Sequence, residues 1–490
     1  MNDVKKLAGQ TLIYGLGTIV PRFLNYIVLT PFYTRVFINK AEYGVVTELY
    51  AWMVIALILL TYGMETAYFR FANKEKDPAK VYSTSIITLF TTSASFVLLV
   101  FFFIGPVSSF FNYSDHQEYI KMFALIVAID AFSAIPFAYL RSKKKPLIFS
   151  TLKILNVVVS LGLAYFFLKF APDILKNGGK WVLKVYNPDF KVGYVFLANL
   201  LGSAFTLILL IPFIVKVKPS FDKGLLKRML SYSWPLLVGG LAGCLNDVLD
   251  KILLRRMLGE EGLATVGVYG AGYKVAILMS LFIQMYRFAA EPFFFERAGN
   301  KDRKETYVVT MKYFVIAMVI LYLGINLYMD FVQILIGRIY RESLVIVPIV
   351  SLAYLMFGIF INQSIWYKIE DKTIIGVYLT IIGAAVTVIL NVLFIPKFGY
   401  MASAWATFAS YFTMVIASFW IGQRHYPVNY DIKGMILYIG MAVIMILIQR
   451  SINSGSVLIN TAVATALMLL FIFIANKRDK FISVYLGKTI

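Results

Sequence analysis

Long apolar stretches recur along the whole chain, separated by short polar breaks, and they constrain the fold more than any other feature. A membrane-spanning helix needs about 20 predominantly apolar residues, and fourteen stretches provide them. A β-barrel would show alternating segments of about ten residues, which the sequence lacks. We therefore predict an all-α integral membrane protein with about 14 transmembrane helices. The predicted spans are residues 8–37, 43–71, 82–105, 118–140, 147–169, 193–215, 229–254, 264–297, 306–328, 344–367, 374–395, 401–421, 434–450 and 457–475.

Composition excludes the other broad classes. The chain is 60% hydrophobic and 15% charged, whereas a soluble protein is nearer half apolar and a quarter charged. Cys244 is the only cysteine, which excludes a disulfide scaffold. The first apolar stretch contains Arg22 and Arg35 and is longer than the apolar part of a signal peptide, so we expect it to be a retained helix.

The net charge of +21 could indicate a nucleic-acid-binding protein, but topology accounts for most of it. If the N-terminus is cytoplasmic, 26 of the 47 Lys and Arg residues fall in cytoplasmic segments and 12 in outer segments. Such a bias sets the orientation of membrane proteins. We predict cytoplasmic N- and C-termini and no nucleic-acid partner. Nine basic residues remain within the spans or at their edges.

Weak internal symmetry accompanies these spans, as in many secondary transporters. Leu24-Asn25 aligns with Leu245-Asn246, and Lys191–Tyr194 aligns with Lys397–Tyr400. Six spans match six spans, so the copies run parallel and are related by an axis along the membrane normal. We predict an N-lobe of spans 1–6 at residues 1–216, a C-lobe of spans 7–12 at residues 217–425, and spans 13–14 with a cytoplasmic tail at residues 426–490.

Several segments carry a resemblance to a known family. They are Glu42–Gly44, Tyr62–Phe71, Leu390-Asn391, Ile395–Tyr400, and Gly337 and Tyr340 leading into Pro348. Together they resemble the bacterial lipid-linked oligosaccharide flippases of the O-antigen transporter type, in the multidrug/oligosaccharidyl-lipid/polysaccharide (MOP) superfamily. The order of the segments and the number of spans carry the resemblance, which covers nearly the whole chain.

The resemblance implies a function, partners and a location. A flippase of this family would move a polyprenyl-diphosphate-linked oligosaccharide from the cytoplasmic to the outer face of the bacterial inner membrane by alternating access. Its partners would be this glycan lipid, membrane lipids and other polysaccharide assembly proteins. In the resembling lipid II flippase, arginines on spans 1, 2 and 8 line the cavity, whereas span 2 of this chain has no arginine near its midplane.

Two cations lie deep in predicted spans 1 and 8. Arg22 is roughly 21 Å from the start of its span and Lys274 is roughly 15 Å from the outer end of its span, at 1.5 Å per residue. Arg can bind phosphate oxygens through two parallel hydrogen bonds, and Lys acts as a point charge. We predict that Arg22, Asn25, Lys274 and Arg287 bind the diphosphate headgroup. The alternative is that Arg22 and Lys274 neutralise buried acids.

Five acidic residues in the spans are candidates for coupling transport to H⁺ or Na⁺. They are Glu65, Asp130, Asp247, Asp250 and Glu291. The alternative for Asp247 and Glu291 is pairing with Lys251 and Arg287, each four residues away on the same helix face. Glu65, Asp130 and Asp250 lack such a partner on their own helix, and a buried carboxylate can exchange a proton or bind sodium.

Pro21 and Pro31 interrupt span 1, and we predict a hinge or a static kink there, because proline removes a backbone hydrogen bond.

No Walker A loop is present, and the two histidines have no second set of metal ligands nearby, so no cofactor or metal is expected. We therefore predict that the chain is not an enzyme. The alternatives are a multidrug exporter of the same fold and a membrane polysaccharide polymerase or ligase.

Overall fold

The structure is a computed structural model that describes Gly15 and residues 17–296, 303–452 and 454–480. Every regular element in these ranges is helical. The α-helices are α1 (Thr30–Val36), α2 (Lys40–Thr61), α3 (Met64–Lys74), α4 (Pro78–Phe102), α5 (Ile104–Phe110), α6 (Gln117–Ser142), α7 (Pro146–Tyr165), α8 (Ala171–Lys176), α9 (Gly193–Ile214), α10 (Lys223–Met257), α11 (Gly262–Ala276), α12 (Leu278–Glu296), α13 (Arg303–Leu327), α14 (Met329–Val332), α15 (Val347–Gln363), α16 (Ile365–Ile369), α17 (Ile374–Phe398), α18 (Tyr400–His425), α19 (Ile432–Ile452) and α20 (Val457–Asp479).

The helices confirm the predicted all-α membrane fold. In the described ranges, eleven helices are long and apolar enough to cross a membrane, and the pair α11–α12, bent by 41°, makes a twelfth. The two remaining predicted spans are 8–37, which lies partly outside the described residues, and 229–254. The latter is part of α10, whose 35 residues form one continuous helix that also contains many charged side chains.

The chain divides into two compact units, Met1–Arg256 and Met257–Ile490. The first unit therefore includes α10, which the sequence repeat assigns to the second lobe. Compactness and repeat symmetry are different criteria, so the lobe boundaries at 216/217 and 425/426 stay a prediction. The predicted cytoplasmic tail lies mostly outside the described residues.

In the first unit, α3 packs against α4, α6 and the first half of α10. The fully buried side chains at this centre include Met64 and Tyr68 of α3, Tyr82 of α4 and Met229 of α10. The hydroxyls of the buried tyrosines also find partners, because Tyr82 donates to the Phe213 carbonyl at 3.0 Å. Packing and interhelical hydrogen bonds hold helices together in lipid, where the hydrophobic effect between helices is weak.

Ion pairs fix α10 to the first unit at both of its ends. Near its start, Lys80 Nζ lies 2.8 Å from Asp222 Oδ2, and Arg228 Nη2 lies 2.8 Å from Glu75 Oε1. The hydrogen bond from Lys80 lowers the pKa of the Asp222 carboxyl to about 2.

The other end of α10 is held by the carboxylate of Glu48. Arg255 Nε lies 3.8 Å from Glu48 Oε2, and the Tyr113 hydroxyl donates to that oxygen at 2.7 Å. Glu48 is buried, so the cation and the hydroxyl supply the partners that a charge removed from water needs.

The first span is not a regular α-helix. Residues 17–24 are α-helical, Asn25–Leu29 form one π-helical turn, and α1 follows with Pro31 in its first turn. A π turn holds one more residue per hydrogen-bonded loop than an α turn. The π turn lies between the two prolines and not at either of them, so the hinge or kink at Pro21 and Pro31 stays a prediction.

In the second unit, buried polar side chains connect neighbouring helices. The Tyr354 hydroxyl of α15 donates to the Tyr273 hydroxyl of α11 at 2.8 Å. The Ser403 hydroxyl of α18 donates to Asn391 Oδ1 of α17 at 2.7 Å, and both residues are fully buried.

Gly272 tests the close packing of α11. A Cβ atom at this position would lie 2.5 Å from the Ser343 carbonyl oxygen. We expect Gly272→Ala to lower the free energy of unfolding by about 1–3 kcal/mol, because overpacking forces the backbone apart. The measurement is reversible unfolding of the purified protein in mixed micelles.

Gly324→Ala is the matched control, because its Cβ would meet no atom within 4 Å. Replacing glycine by alanine in an open helix position should stabilise the protein by up to about 1 kcal/mol. Equal effects of the two substitutions would contradict the packing of α11 described above.

Candidate functional site

A polar cavity of about 740 Å³ lies within the first unit. Its walls come from residues 17–22, the junction of α2 and α3, and parts of α6, α7, α9 and α10. Five charged side chains line it, namely Arg22, Glu65, Asp130, Arg141 and Lys153. Three cations and two acids leave the cavity with one net positive charge.

Two neighbouring helices present polar side chains to this cavity at helical spacing. Asn156 lies three residues after Lys153 on α7, and Thr206 lies three residues after Ser203 on α9, so each pair shares a helix face. Asn156 Nδ2 donates to Thr206 Oγ1 at 3.0 Å. This hydrogen bond joins the two polar faces.

Asp130 accepts a hydrogen bond at the cavity wall. The Ser203 hydroxyl donates to Asp130 Oδ1 at 2.8 Å. Lys153, Arg141 and Arg22 lie close enough to Asp130 or to one another to interact electrostatically. Asp130 is thus a carboxylate in a mostly cationic cavity, which it shares with Glu65 among the predicted coupling residues.

Lys153 and Arg141 are cavity residues that sequence reasoning missed. Lys153 is close enough to the end of span 5 to reach the membrane surface, yet it lines the cavity, with Nζ 4.0 Å from the centre of the Phe137 ring. Arg141 follows the predicted fourth span, and the sequence analysis used it only as one of the basic residues that indicate the cytoplasmic side. The spacing of Lys153 and Asn156 was the one available signal.

Glu65 has an ionic partner from another helix. Its carboxylate forms an ion pair with Arg141 of α6, and the Arg141 guanidinium lies 4.8 Å from the centre of the Phe69 ring. The sequence predicts that Glu65 has no ionic partner on its own helix. The partner that the structure shows comes from another helix, α6.

Arg22 and Pro21 line the cavity, and Asn25 is the first residue of the π turn that follows. Asn25 is exposed and does not line this cavity. Pro31 is buried at the start of α1. The structure thus brings Arg22 and Pro21 together with Asp130 and Glu65, which are four of the predicted site residues.

Asp247 and Asp250 lie elsewhere in the first unit, in the second half of α10. Lys251 Nζ lies 2.9 Å from Asp250 Oδ1 and donates to the Asp247 carbonyl oxygen at 2.6 Å. The expectation that Asp250 lacks a partner on its own helix is therefore wrong. Both side chains are buried, and the sequence reasoning missed this pair because it considered only partners four residues away.

The other predicted residues belong to the second unit. Lys274 is half-buried in the last turn of α11, just before the bend at Ile277. Lys368 Nζ donates a hydrogen bond to Glu291 Oε1 of α12 at 2.7 Å, so the Glu291 carboxylate has a partner outside its own helix. Arg287 is exposed.

Within the described ranges, no three His, Cys, Asp or Glu side chains are grouped so as to hold a metal ion.

Comparison of the sequence with known protein families identifies the family of this chain. The polysaccharide biosynthesis protein family matches residues 7–297. No curated protein sequence matches the chain significantly.

Solved structures of low sequence identity share the fold. The lipid II flippase MurJ in an inward closed conformation matches with a TM-score of 0.71 and 14% identity, over 95% of this chain and 99% of its own. A multidrug resistance MATE family transporter of the MOP superfamily matches in inward-facing and outward-facing conformations, each with a TM-score of 0.61 and 14% identity. These two cover 83% and 85% of this chain and 97% and 95% of their own. This multi-pass membrane protein belongs to the polysaccharide biosynthesis protein family and has the fold of the MOP superfamily.

Proposed function

We propose that the chain moves a polyprenyl-diphosphate-linked oligosaccharide from the cytoplasmic to the outer face of the bacterial inner membrane, with both termini cytoplasmic. The observation that carries the proposal is the group of Arg22, Arg141 and Lys153 in one membrane-embedded cavity of a polysaccharide biosynthesis protein. A cationic cavity suits an anionic diphosphate that must cross the bilayer, because a bare anion in hydrocarbon is costly.

The cations differ in how freely they can bind a headgroup. Arg141 is paired with Glu65 and contacts aromatic rings. We therefore assign it to the structure of the cavity wall and not to the headgroup. Arg22 is exposed on its helix and lines the cavity, and Lys153 contacts a phenylalanine ring. We assign Arg22 and Lys153 to the diphosphate, with Asn156 and Thr206 as neutral hydrogen-bonding groups for the first sugar. Lys274 stays a further candidate for the diphosphate.

The alternative is export of cationic drugs, since a multidrug resistance transporter of the MATE family shares the fold. The surplus of cations over acids in the first-unit cavity favours an anionic substrate. An enzyme acting on the same glycan lipids is less favoured, because the named structural relatives are a flippase and transporters.

Transport by a purified protein in liposomes tests the substrate. We expect Arg22→Ala and Lys153→Ala each to slow inner-to-outer movement of a fluorescent undecaprenyl-diphosphate-linked oligosaccharide by about ten- to a hundredfold. The reason is that a hydrogen bond to a charged group contributes about 1.5–3 kcal/mol. Lys169→Ala is the control, because Lys169 forms an exposed pair with Asp173.

The same liposomes separate the two candidate functions. Export of a cationic dye without movement of any diphosphate-linked lipid would overturn the proposal in favour of a drug transporter. Movement of the lipid that Arg22→Ala and Lys153→Ala leave unchanged would remove these residues from the headgroup site.

Chemical modification tests whether the cavity is reached by anions. In a Cys244→Ala background, which lacks cysteine, we expect Asn156→Cys to react faster with an anionic methanethiosulfonate than with a cationic one. The cause is the positive charge of the cavity walls. Thr387→Cys, at a fully buried position of the second unit, should react with neither reagent. Faster reaction of Asn156→Cys with the cationic reagent would contradict the assignment.

Asp130 is our candidate for coupling transport to a proton or sodium gradient. We expect Asp130→Asn to abolish the acceleration of lipid movement by an imposed gradient, because an amide can neither exchange a proton nor bind a cation by charge. Glu118→Gln is the matched control, since Glu118 is exposed and paired with His116. A gradient response that persists in Asp130→Asn would exclude Asp130 from coupling.

A further inference from the structure

The first half of α10 has two apolar faces. One face, with Leu225 and Met229, is buried against the core of the first unit. The other begins with Lys223 and Lys227 and continues as Leu230, Trp234 and Leu237. Spacings of three and four residues place these five side chains on one helix face. Leu230 is 39% exposed and Trp234 is 65% exposed.

This second face forms one wall of a groove of about 930 Å³. Tyr62 also lines it. It lies at the junction of α2 and α3, where Tyr62 and Gly63 adopt left-handed backbone conformations, with φ of 35° and 70°. A non-glycine residue in this conformation is costly, so the turn that directs Tyr62 toward α10 is a specific feature of the fold.

The two lysines at the entrance of the groove differ from the nearby basic residues. Lys80 and Arg228 are paired with Asp222 and Glu75. Within the described part of the chain, Lys223 and Lys227 form no ion pair. The entrance therefore carries two uncompensated positive charges beside an apolar surface.

The dimensions of the apolar part match one leaflet of a bilayer. From Lys227 to Leu237 there are ten residues, or roughly 15 Å along the helix. This is about half of the 30 Å hydrocarbon core. If the lysines lie at the headgroup level, Leu237 lies near the bilayer midplane.

We propose that this groove is a binding site for an anionic glycerophospholipid of the surrounding bilayer. The phosphate binds Lys223 and Lys227, and one acyl chain lies along Leu230, Trp234 and Leu237. Basic pockets beside membrane helices recognise anionic headgroups in this way. The apolar face disfavours free phosphate as the occupant, and a groove at the depth inferred above would be closed to a soluble partner. The groove shares Leu237 with the wall of the polar cavity, but Lys223, Lys227, Leu230 and Trp234 line the groove alone.

Trp234 provides a probe within the groove. The purified full-length protein is placed in mixed micelles with phosphatidylglycerol or phosphatidylcholine whose acyl chains carry bromine, which quenches tryptophan fluorescence on contact. Subtracting the signal of Trp234→Phe isolates Trp234 from the other five tryptophans. We expect phosphatidylglycerol to quench Trp234 at a mole fraction about thirtyfold below that of phosphatidylcholine, as two interfacial cations predict.

The lysines are then removed in pairs. Lys223→Gln/Lys227→Gln should abolish the preference for phosphatidylglycerol. Lys216→Gln/Lys218→Gln changes the net charge equally at exposed positions outside the groove, and it should keep the preference. Equal quenching by both lipids in the unmodified protein would overturn the proposal, as would loss of the preference in both double variants.

A competition arm distinguishes a resident phospholipid from the transported lipid. Excess unbrominated phosphatidylglycerol should restore Trp234 fluorescence, and an undecaprenyl-diphosphate-linked oligosaccharide at the same mole fraction should not. Restoration by the glycan lipid alone would overturn the assignment to a phospholipid. Failure of the flippase assay with preserved phosphatidylglycerol preference would refute the proposed function while supporting this site.

Discussion

The energetic cost of charge within a bilayer is the constraint on which the arrangement of this protein depends. A charged side chain at the centre of a membrane helix costs about 2.5–3.5 kcal/mol on insertion scales, unless protein or water solvates it. The structure meets this cost in two ways. Pairs such as Asp250 with Lys251 and Lys312 with Asp479 neutralise each other within one unit. Arg22, Lys153 and Asp130 instead converge on a polar cavity.

The same constraint explains how the helices are joined. Serine, threonine and asparagine side chains satisfy one another across helix pairs, as between Asn156 and Thr206 in the first unit and between Asn391 and Ser403 in the second. Each such bond contributes only about 0.6 kcal/mol in membranes. Their importance lies in specificity, because any other rotation of these helices would leave a polar group in contact with hydrocarbon.

The sequence was sufficient to predict the helical membrane fold and the family, and twelve of the fourteen predicted spans correspond to helices that could cross a membrane in the described ranges, because these predictions rest on local apolar runs and their order. It also predicted Arg22 and Asp130 as functional candidates, since a charge in an apolar run is conspicuous. It could not predict that Arg141 pairs with Glu65 or that Lys368 pairs with Glu291. Those contacts join residues that are distant in sequence, and periodicity carries no information about which helices become neighbours. The sequence also could not place Lys153 in the cavity, because its distance from the span end is compatible with both the membrane surface and the protein interior.

The π turn at Asn25–Leu29 has a consequence for how the first span presents its side chains. Each residue of an α-helix advances the side-chain direction by about 100°. One additional residue in a wider turn therefore offsets the angular phase of everything beyond it by about that amount. A helical wheel drawn over residues 8–37 as one regular helix would assign Tyr33 and Arg22 to faces that the folded chain does not give them. The chain can thus bury the Tyr33 side of α1 while the preceding turns direct Arg22 into the polar cavity.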